Sequence, residues 1–388
     1  MVVGAGPAGN MAAKTAADEG LNVILIEEHP KVGVPLYCAE GISIYGLRNV
    51  DMDPEPGLVS QEIDKAKVYA PNGSYIDITG GEWVGYTINR PVFDRTLAER
   101  AIDSGAKMML GTRAIKVIKN EGKIVGIAAD QDGDNLRIKA DIVIGADGHS
   151  SVIRRSAGLA RWFPDVVSCA QYRLKGVNLE DANTSEFWIG EKYAPGGYAW
   201  VFPKSKDTAN IGLGVRERHL KPAIEYLKDF IDSDERFKDA RIIERGGGIC
   251  PVSGILDEIV ADGLMLVGDA AGELIPCTGA GIHTATEAGK IAGRVAAEAV
   301  SEGNPTASRL SEYRMRFEDK YGKKIEDSYK VVKMLDKFSD EDLNMFADML
   351  TGEDIVNLTN GVKVNITLAR LLKRGPLRLM KLIKAYIR

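Results

Sequence analysis

Four residues near the start of the chain have the types and spacing to hold a dinucleotide. Gly4-x-Gly6-x-x-Gly9 follows a short apolar run and opens an alanine-rich segment, and Glu27 ends the next apolar run. In such a pattern the first glycine makes a tight turn and the second lets backbone approach a pyrophosphate. The third lets helix pack on strand, and the carboxylate accepts from ribose hydroxyls. A second cluster lies far along the chain. Gly268-Asp269-Ala270-Ala271 puts a carboxylate at the C-terminal edge of a strand, where it can accept from a ribityl or phosphate-proximal hydroxyl. Pro276-Cys277-Thr278-Gly279-Ala280-Gly281-Ile282 then leads into a helix whose N-terminal N–H groups and dipole suit negative charge on a reduced flavin. Alone, Asp269 would read as a helix N-cap. Together with the glycine turn beyond it, it makes FAD the expected cofactor.

These residues need elements to hold them. Residues 1–30 read as strand, glycine turn, helix from about Ala8 to Glu19 and strand Asn22–Glu27, a βαβ unit with a right-handed crossover. Its first strand, Met1-Val2-Val3, is short against the usual ~5–6 residues, so a few residues are expected to precede it. Residues 51–94 change to short strands with turns at Pro71-Asn72-Gly73 and Gly80-Gly81, and Arg90-Pro91-Val92-Phe93-Asp94 opens a helix. Strand pairs turning at Gly122 and Gly133 lead to Ile142-Val143-Ile144 and Gly145-Ala146-Asp147-Gly148. Residues 165–255 carry alternating, aromatic strands broken by a charged helix near 217–238, which predicts a second, largely antiparallel sheet. The first unit resumes with the strand Gly263–Gly268 and an alanine-rich helix from Gly281 to Ala299; amphipathic helices follow from Ser308, broken at Gly375-Pro376. The expected fold is α/β: a discontinuous Rossmann-like FAD domain over 1–50, 91–160 and 256–305, an antiparallel-sheet substrate domain over 51–90 and 161–255, and C-terminal helices over 306–388.

Composition narrows the setting. The 388 residues are 45% hydrophobic and 27% charged, as in an ordinary soluble enzyme. A net charge of -5 hides an asymmetry: Lys363, Arg370, Lys373, Arg374, Arg378, Lys381, Lys384 and Arg388 crowd the end of the chain without an acid. Interleaved with Leu368, Leu371, Leu372, Leu377, Leu379, Met380, Leu382, Ile383, Tyr386 and Ile387, they read as an interfacial helix attaching to an anionic membrane surface. The acidic body argues against nucleic acid. The four cysteines lack CxxC spacing, no signal peptide is recognisable and no apolar run nears the ~20 residues of a membrane span. The expected location is cytoplasmic and peripherally membrane-associated. His29, His149, His219 and His283 have no metal spacing and read as surface or helix-end residues, with His283 beside the flavin loop; no metal is expected.

The glycine fingerprint, Gly145-Ala146-Asp147-Gly148, Gly268-Asp269-Ala270-Ala271 and the Arg90-x-x-Phe93-Asp94 helix start resemble the para-hydroxybenzoate-hydroxylase-like flavoproteins. Cys38-Ala39-Glu40-Gly41-Ile42-Ser43, and Tyr198-Ala199-Trp200-Val201-Phe202-Pro203 followed by Gly212-Leu213-Gly214, are similar to the geranylgeranyl reductase branch, in particular the archaeal digeranylgeranylglycerophospholipid reductases. The resemblance runs from Met1 to about Tyr329. It implies an FAD-dependent oxidoreductase that saturates prenyl double bonds in membrane ether lipids. It implies FAD contacts at Gly4, Gly6, Ala8, Gly9, Glu27, Ala39, Gly41, Arg90, Ala114, Asp147, Asp269, Gly279, Ala280, Gly281 and Ile282. Cys38 and Glu40 would lie by the isoalloxazine ring as catalytic candidates, and Tyr198, Trp200, Phe202 and the Gly212/Gly214 turn would border the prenyl pocket. Hydride to one alkene carbon and a proton to the other call for a long dry pocket, which aromatic walls provide. Cys38, Glu40, Tyr198 or a water stand as proton donors. Tyr37, where relatives often carry arginine, and Ala280, in place of a glycine, depart from the pattern. Cys38 and Cys277 would both adjoin the ring, as two independent thiols rather than a disulfide.

Rival readings are a flavin monooxygenase of an apolar substrate and a non-catalytic or electron-transfer flavoprotein. The Trp-x-Trp-x-Ile-Pro of halogenases is absent. Without a second glycine fingerprint for a nicotinamide, the electron donor stays open among ferredoxin, NAD(P)H and another flavoprotein.

Overall fold

The computed structural model describes residues 1–35, 38–79, 84–216, 221–373 and 380. Tyr37, Gly80-Gly81, His219 and nearly all of the basic end beyond Lys373 lie outside the described residues.

The chain begins as its glycines dictate: strand Val2–Val3, helix Pro7–Asp18, strand Ile24–Ile26. Proline in the first helical turn wastes no N–H group, and nine of the helix's residues are buried. The two strands sit in a six-stranded sheet whose order is Val260–Ala261, Leu264–Leu266, Val143–Gly145, Val2–Val3, Ile24–Ile26, Lys107–Met109. All its pairings are parallel except the Val260–Ala261 hairpin. Parallel strands covered on both faces need continuous apolar runs, and Val143, Ile144, Leu264, Met265 and Leu266 are all buried. Helix Ile282–Ser301 packs along Pro7–Asp18 so closely that a Cβ on Gly289 would stand 2.2 Å from the Ala8 carbonyl oxygen. The alanine and glycine content of both helices is the cause of that approach.

A seven-stranded sheet forms the second layer, in the order Arg241–Pro251, Val166–Lys175, Thr208–Arg216, Tyr198–Ser205, Thr184–Ile189, Lys65–Tyr69, Tyr75–Thr79. It is antiparallel but for the pairing of Thr184–Ile189 with Lys65–Tyr69. The helix expected near 217–238 is shorter, Ala223–Asp232 with a 3-10 turn at Glu235–Phe237. Thr112–Asn120, Lys123–Gln131 and Asp134–Lys139 form a meander whose turns, Glu121-Gly122 and Asp132-Gly133, have positive φ at both residues, which matches the twist of paired strands. Gly41–Ser43, Gly85–Ile88 and Val59–Ile63 form a last small sheet.

Helices from Ala307 to Leu372 close the structure; two of them start with capping boxes at Ser339/Asp342 and Thr351/Asp354. In the last, Val364–Leu372, Leu368 and Leu371 are buried in the C-terminal core. This corrects the expectation of a free amphipathic helix from Lys363: the apolar face of its first half packs on the protein itself.

Candidate functional site

The glycine turn behaves as three different glycines. A Cβ on Gly9 would fall 1.8 Å from the Gly4 carbonyl oxygen, and one on Gly4, where φ is +98°, would fall 2.5 Å from the Ala146 carbonyl oxygen. Around Gly6 nothing lies within 4 Å of the Cβ position. The chain needs the outer two glycines for its own packing and leaves the middle one open, as a pyrophosphate-binding turn requires. Glu27 accepts from the Ala5 N–H at 2.8 Å and the His29 N–H at 3.0 Å, with the His29 ring nitrogen Nδ1 2.6 Å away. His29 is thus a partner of Glu27 rather than an ordinary surface residue. Ala114 lies on Thr112–Asn120 of the meander, partly buried against the core.

Asp147 borders the same turn, its Cα 3.3 Å from where a Gly4 Cβ would be. Its carboxylate is engaged elsewhere, accepting from Ser151 Oγ at 2.6 Å and the Ile153 N–H at 3.0 Å, and so fixes the start of helix Val152–Ala157. Asp269 does not cap a helix. It lies in the 3-10 turn Gly268–Ala270, its Oδ1 3.5 Å from the Cβ position of Gly281. Helix Ile282–Ser301 starts at Gly281 with no side-chain cap and no acid in its first turn, so its positive end is left for a ligand. The residues present therefore fit FAD: open backbone at Gly6, and a free helix N-terminus beside Asp269 and the Gly279-Ala280-Gly281 loop. His283 is drawn down to about 4 by burial and by Lys324, and is neutral at pH 7.

Between this cradle and the seven-stranded sheet runs the Cys38-Ala39-Glu40-Gly41 turn. Glu40 is fully buried, with φ of +71°, unusual for a side-chain-bearing residue. One carboxylate oxygen accepts from the Arg90 N–H at 3.1 Å, at the start of helix Arg90–Asp103. The other accepts from Lys204 Nζ at 2.5 Å, Arg173 Nη2 at 2.6 Å and Asn210 Nδ2 at 2.7 Å. Burial alone would raise its pKa; Lys204, Arg173 and the Asn210 bond together hold it below the usual carboxylate range. Glu40 is an anion at neutral pH. Its N–H meets Cys38 Sγ at 3.2 Å. The Arg90 guanidinium forms a bidentate pair with Asp94 at 2.9 and 3.1 Å and also interacts with Cys38; against the effect of burial, these partners raise its pKa.

The aromatic segment forms strand Tyr198–Ser205, and the supposed Gly212/Gly214 turn is instead the interior of the adjoining strand Thr208–Arg216. The register pairs Tyr198 with Gly214 and Trp200 with Gly212. Trp200 lies over its partner, since a Cβ on Gly212 would stand 2.4 Å from the Trp200 ring, whereas the Cβ position of Gly214 is met by Val167 at 2.5 Å. Phe202 packs on Gly41 of the cysteine turn, 3.0 Å from its Cβ position, while the Tyr198 hydroxyl donates to the Thr278 carbonyl of the flavin loop at 2.5 Å. Trp200 Nε1 donates to Gln171 Oε1 at 2.9 Å, and Gln171 Nε2 donates to the Cys38 carbonyl at 3.0 Å. All four cysteines are free. Burial pushes the Cys169 and Cys277 thiols up to about 12 and Cys250 well above its usual value, so these thiols are neutral.

The structure thus joins Cys38, Glu40 and Arg90 at the cysteine turn, Phe202 against that turn, and Tyr198 against the Thr278-Gly279 loop, with Asp269 beside the same loop at Gly281. Gln171, Arg173, Lys204 and Asn210, which bond to the cysteine turn, carry no motif in the sequence; the alternation of Gln171 and Arg173 with apolar neighbours was the available signal.

The geometry agrees with what the chain is similar to. Residues 1–173 match the model of the FAD dependent oxidoreductase family, and residues 165–250 match the geranylgeranyl reductase catalytic domain. A digeranylgeranylglycerophospholipid reductase 2 of Methanopyrus kandleri is 38% identical over 97% of this chain and 96% of its own. The chain belongs to the geranylgeranyl reductase family of FAD-dependent oxidoreductases. A geranylgeranyl bacteriochlorophyll reductase-like protein of Thermoplasma acidophilum superposes with a TM-score of 0.88 at 31% identity, covering 99% of this chain and 98% of that one. The flavin-dependent brominase Bmp2, 18% identical with a TM-score of 0.74 over 100% and 98% of the two chains, shares the fold. This reductase is thus a mixed α/β flavoprotein of the para-hydroxybenzoate-hydroxylase-like type.

Proposed function

We propose that this reductase saturates geranylgeranyl double bonds of an isoprenoid ether phospholipid, as digeranylgeranylglycerophospholipid reductases do by name. One observation carries the reading: strand Tyr198–Ser205 touches the cysteine turn through Phe202 and the flavin loop through Tyr198, which sets an aromatic wall where alkene and flavin must meet. The flavin domain would comprise 1–50, 91–160 and 256–305, and the prenyl domain 51–90 and 161–255. FAD, when bound and reduced, supplies a hydride to one alkene carbon.

The chain's own residues divide the remaining work. Gly4, Gly6, Ala8, Gly9 and Glu27 hold the ADP half; Arg90, Asp269, Gly279, Ala280, Gly281 and Ile282 face the flavin half. Tyr198, Trp200 and Phe202 exclude water from the alkene. Glu40 is already ionised, so it has no proton to give, and the Tyr198 proton is committed to Thr278. Of the side-chain candidates Cys38 Sγ is therefore the proton donor we assign, with Glu40 as the residue that positions it and a water as the remaining alternative. A reductant partner, whether ferredoxin, NAD(P)H or another flavoprotein, reloads the cofactor. No helix among the described residues is long and apolar enough to cross a membrane; we assign contact with the anionic bilayer surface to the basic segment 374–388.

The test is anaerobic. Purified protein is reduced with dithionite and mixed with digeranylgeranylglyceryl phospholipid, while flavin absorbance and lipid mass are followed. Flavin reoxidation with lipid mass rising in steps of two hydrogens is expected. Bound FAD with an untouched lipid, or a product that gains oxygen when air is admitted, would overturn the reading.

A further inference from the structure

Beneath the Gly268–Ala271 turn lies a carboxyl that the reaction does not use. Glu273 is completely buried, as is Tyr313 on helix Ala307–Phe317. Glu273 Oε2 accepts from the Gly268 N–H at 2.7 Å, its own N–H donates to the Gly268 carbonyl at 3.1 Å, and the Tyr313 hydroxyl donates to Oε1. Gly268 therefore has both backbone groups tied to one residue. It sits at the centre of the cradle, its Cβ position 3.1 Å from Ala8 Cβ in the fingerprint helix and 3.6 Å from Ala285 Cβ in the flavin-loop helix.

We propose that Glu273 is a positioning residue for FAD: it fixes the Gly268 backbone from below, and through Tyr313 it couples the flavin turn to the C-terminal helices. The inference rests on the reading that this turn contacts the flavin. A second tie supports the coupling, since Cys277 in the flavin loop donates its N–H to Ser328 Oγ at 3.0 Å, on helix Lys323–Leu335.

The surroundings of Glu273 make the arrangement sensitive to its charge. Burial, together with Asp269 and Glu318, pushes its carboxyl up to about 8, against the pull of the Tyr313 and Gly268 bonds. The nearby Arg154 guanidinium is committed to the carbonyls of Ala160, Ala270 and His149, and Arg314 to Glu318 and the carbonyls of Leu256 and Asp257. Neither is free to compensate an anion. A glutamate raised in the folded state contributes full stability below its unfolded value near 4.5 and loses it as pH rises through about 8.

The experiment measures FAD affinity by flavin fluorescence, and apoprotein melting temperature, from pH 5 to 9 in the wild type and in Glu273→Gln. Glutamine can accept from the Gly268 N–H through its oxygen and donate through its amide to the Tyr313 hydroxyl oxygen, and it never ionises. Wild-type FAD affinity is expected to fall about tenfold by pH 9, as follows when the uncompensated buried anion, repelled by Asp269, displaces the turn and only the neutral form binds FAD, while Glu273→Gln shows no such break. Wild-type melting temperature should also decline relative to the variant between pH 5 and 8. Tyr313→Phe, which keeps the ring but removes a bond favouring the ionised form, should move the break to higher pH. Parallel affinity and melting profiles in wild type and Glu273→Gln, or a break that Tyr313→Phe lowers or leaves in place, would overturn the proposal. Melting profiles that diverge while FAD affinities stay parallel would overturn it differently, by removing the turn from the flavin contact.

Discussion

Replacing Glu40 by glutamine tests the centre of the site. The amide keeps nearly the same volume and an oxygen for the Arg90 N–H, but it no longer neutralises Lys204 and Arg173, whose side chains are only 10% and 20% exposed. Removing one partner of a buried ion pair typically costs about 3–5 kcal/mol, because the remaining charge stays buried without compensation. Arg173 keeps Glu244 as a second partner, so the lower figure applies. Unfolding entropy near 2.1 cal/mol/K per residue gives the 388-residue chain about 0.8 kcal/mol per degree, and about 3 kcal/mol corresponds to roughly 4 °C if it melts as one unit. Because the folded pKa of Glu40 is depressed, its contribution is present above the unfolded value of 4.5 and is lost as pH falls through the folded one. The difference between wild type and Glu40→Gln should therefore be full at pH 7 and narrow below pH 4. Calorimetry of the FAD-loaded proteins at several pH values, paired with alkylation of Cys38, reads both consequences: a lower melting temperature and a less selectively placed thiol. A variant that melts within 1 °C of wild type at pH 7, or a difference that persists unchanged in acid, would refute the assignment of Glu40 as an ionised anchor.

Gly6→Ala should leave folding untouched but weaken FAD binding by on the order of tenfold or more, since its Cβ meets only the ligand's space; equal FAD affinity in a fluorescence titration would contradict it. Gly9→Ala should instead destabilise the apoprotein by about 1–3 kcal/mol, checked by denaturant titration, because the added methyl collides with the Gly4 carbonyl. Trp200→Phe removes the donor to Gln171 and leaves a buried acceptor unmatched, at about 1–3 kcal/mol; prenyl reduction should fall while FAD affinity holds, and a rate equal to wild type would refute the Trp200–Gln171–Cys38 link. Deleting 374–388 should abolish co-sedimentation with anionic liposomes without lowering the melting temperature. A cut at 363 would also remove Leu368 and Leu371 from the core, so stability separates the two truncations.

What could be read from the sequence divides along physical lines. The glycine turn, the parallel strands and the alanine-rich helices were legible because their signals are local: a tight turn, a continuous apolar run, a close helix contact. The strand Thr208–Arg216 was misread at Gly212 and Gly214 because glycine usually marks a turn, and only the cross-strand packing shows Gly212 covered by the Trp200 ring and Gly214 by Val167. Gln171 and Arg173 alternate with Ala170, Tyr172 and Leu174 as a solvent-facing strand edge would. Their polar face turns inward to the cysteine turn instead: the alternation marks two faces of the strand but not which of them is covered. Asp147 had the position of a ligand contact, yet its carboxylate is engaged by Ser151 and Ile153. Glu273 had no signal at all, since its partner Tyr313 lies forty residues on.

The polar residues of this site explain how a hydrophobic pocket can hold a reactive group in one place. Aromatic rings supply a dry wall, but dispersion and area burial are non-directional and would let a small thiol wander. Direction comes from hydrogen bonds anchored in several elements at once. Glu40 joins helix Arg90–Asp103 to three strands, and Gln171 joins the Trp200 ring to the Cys38 carbonyl. The glycine opposite Trp200 sets how deep that ring sits, so the wall and the thiol share one mechanical frame. A methyl group added at Gly212 would push Trp200, through it Gln171, and through that the turn carrying Cys38. Pocket width and donor position are therefore coupled: a sequence that widened the pocket by shrinking Trp200 would also have to rebuild the support of Cys38.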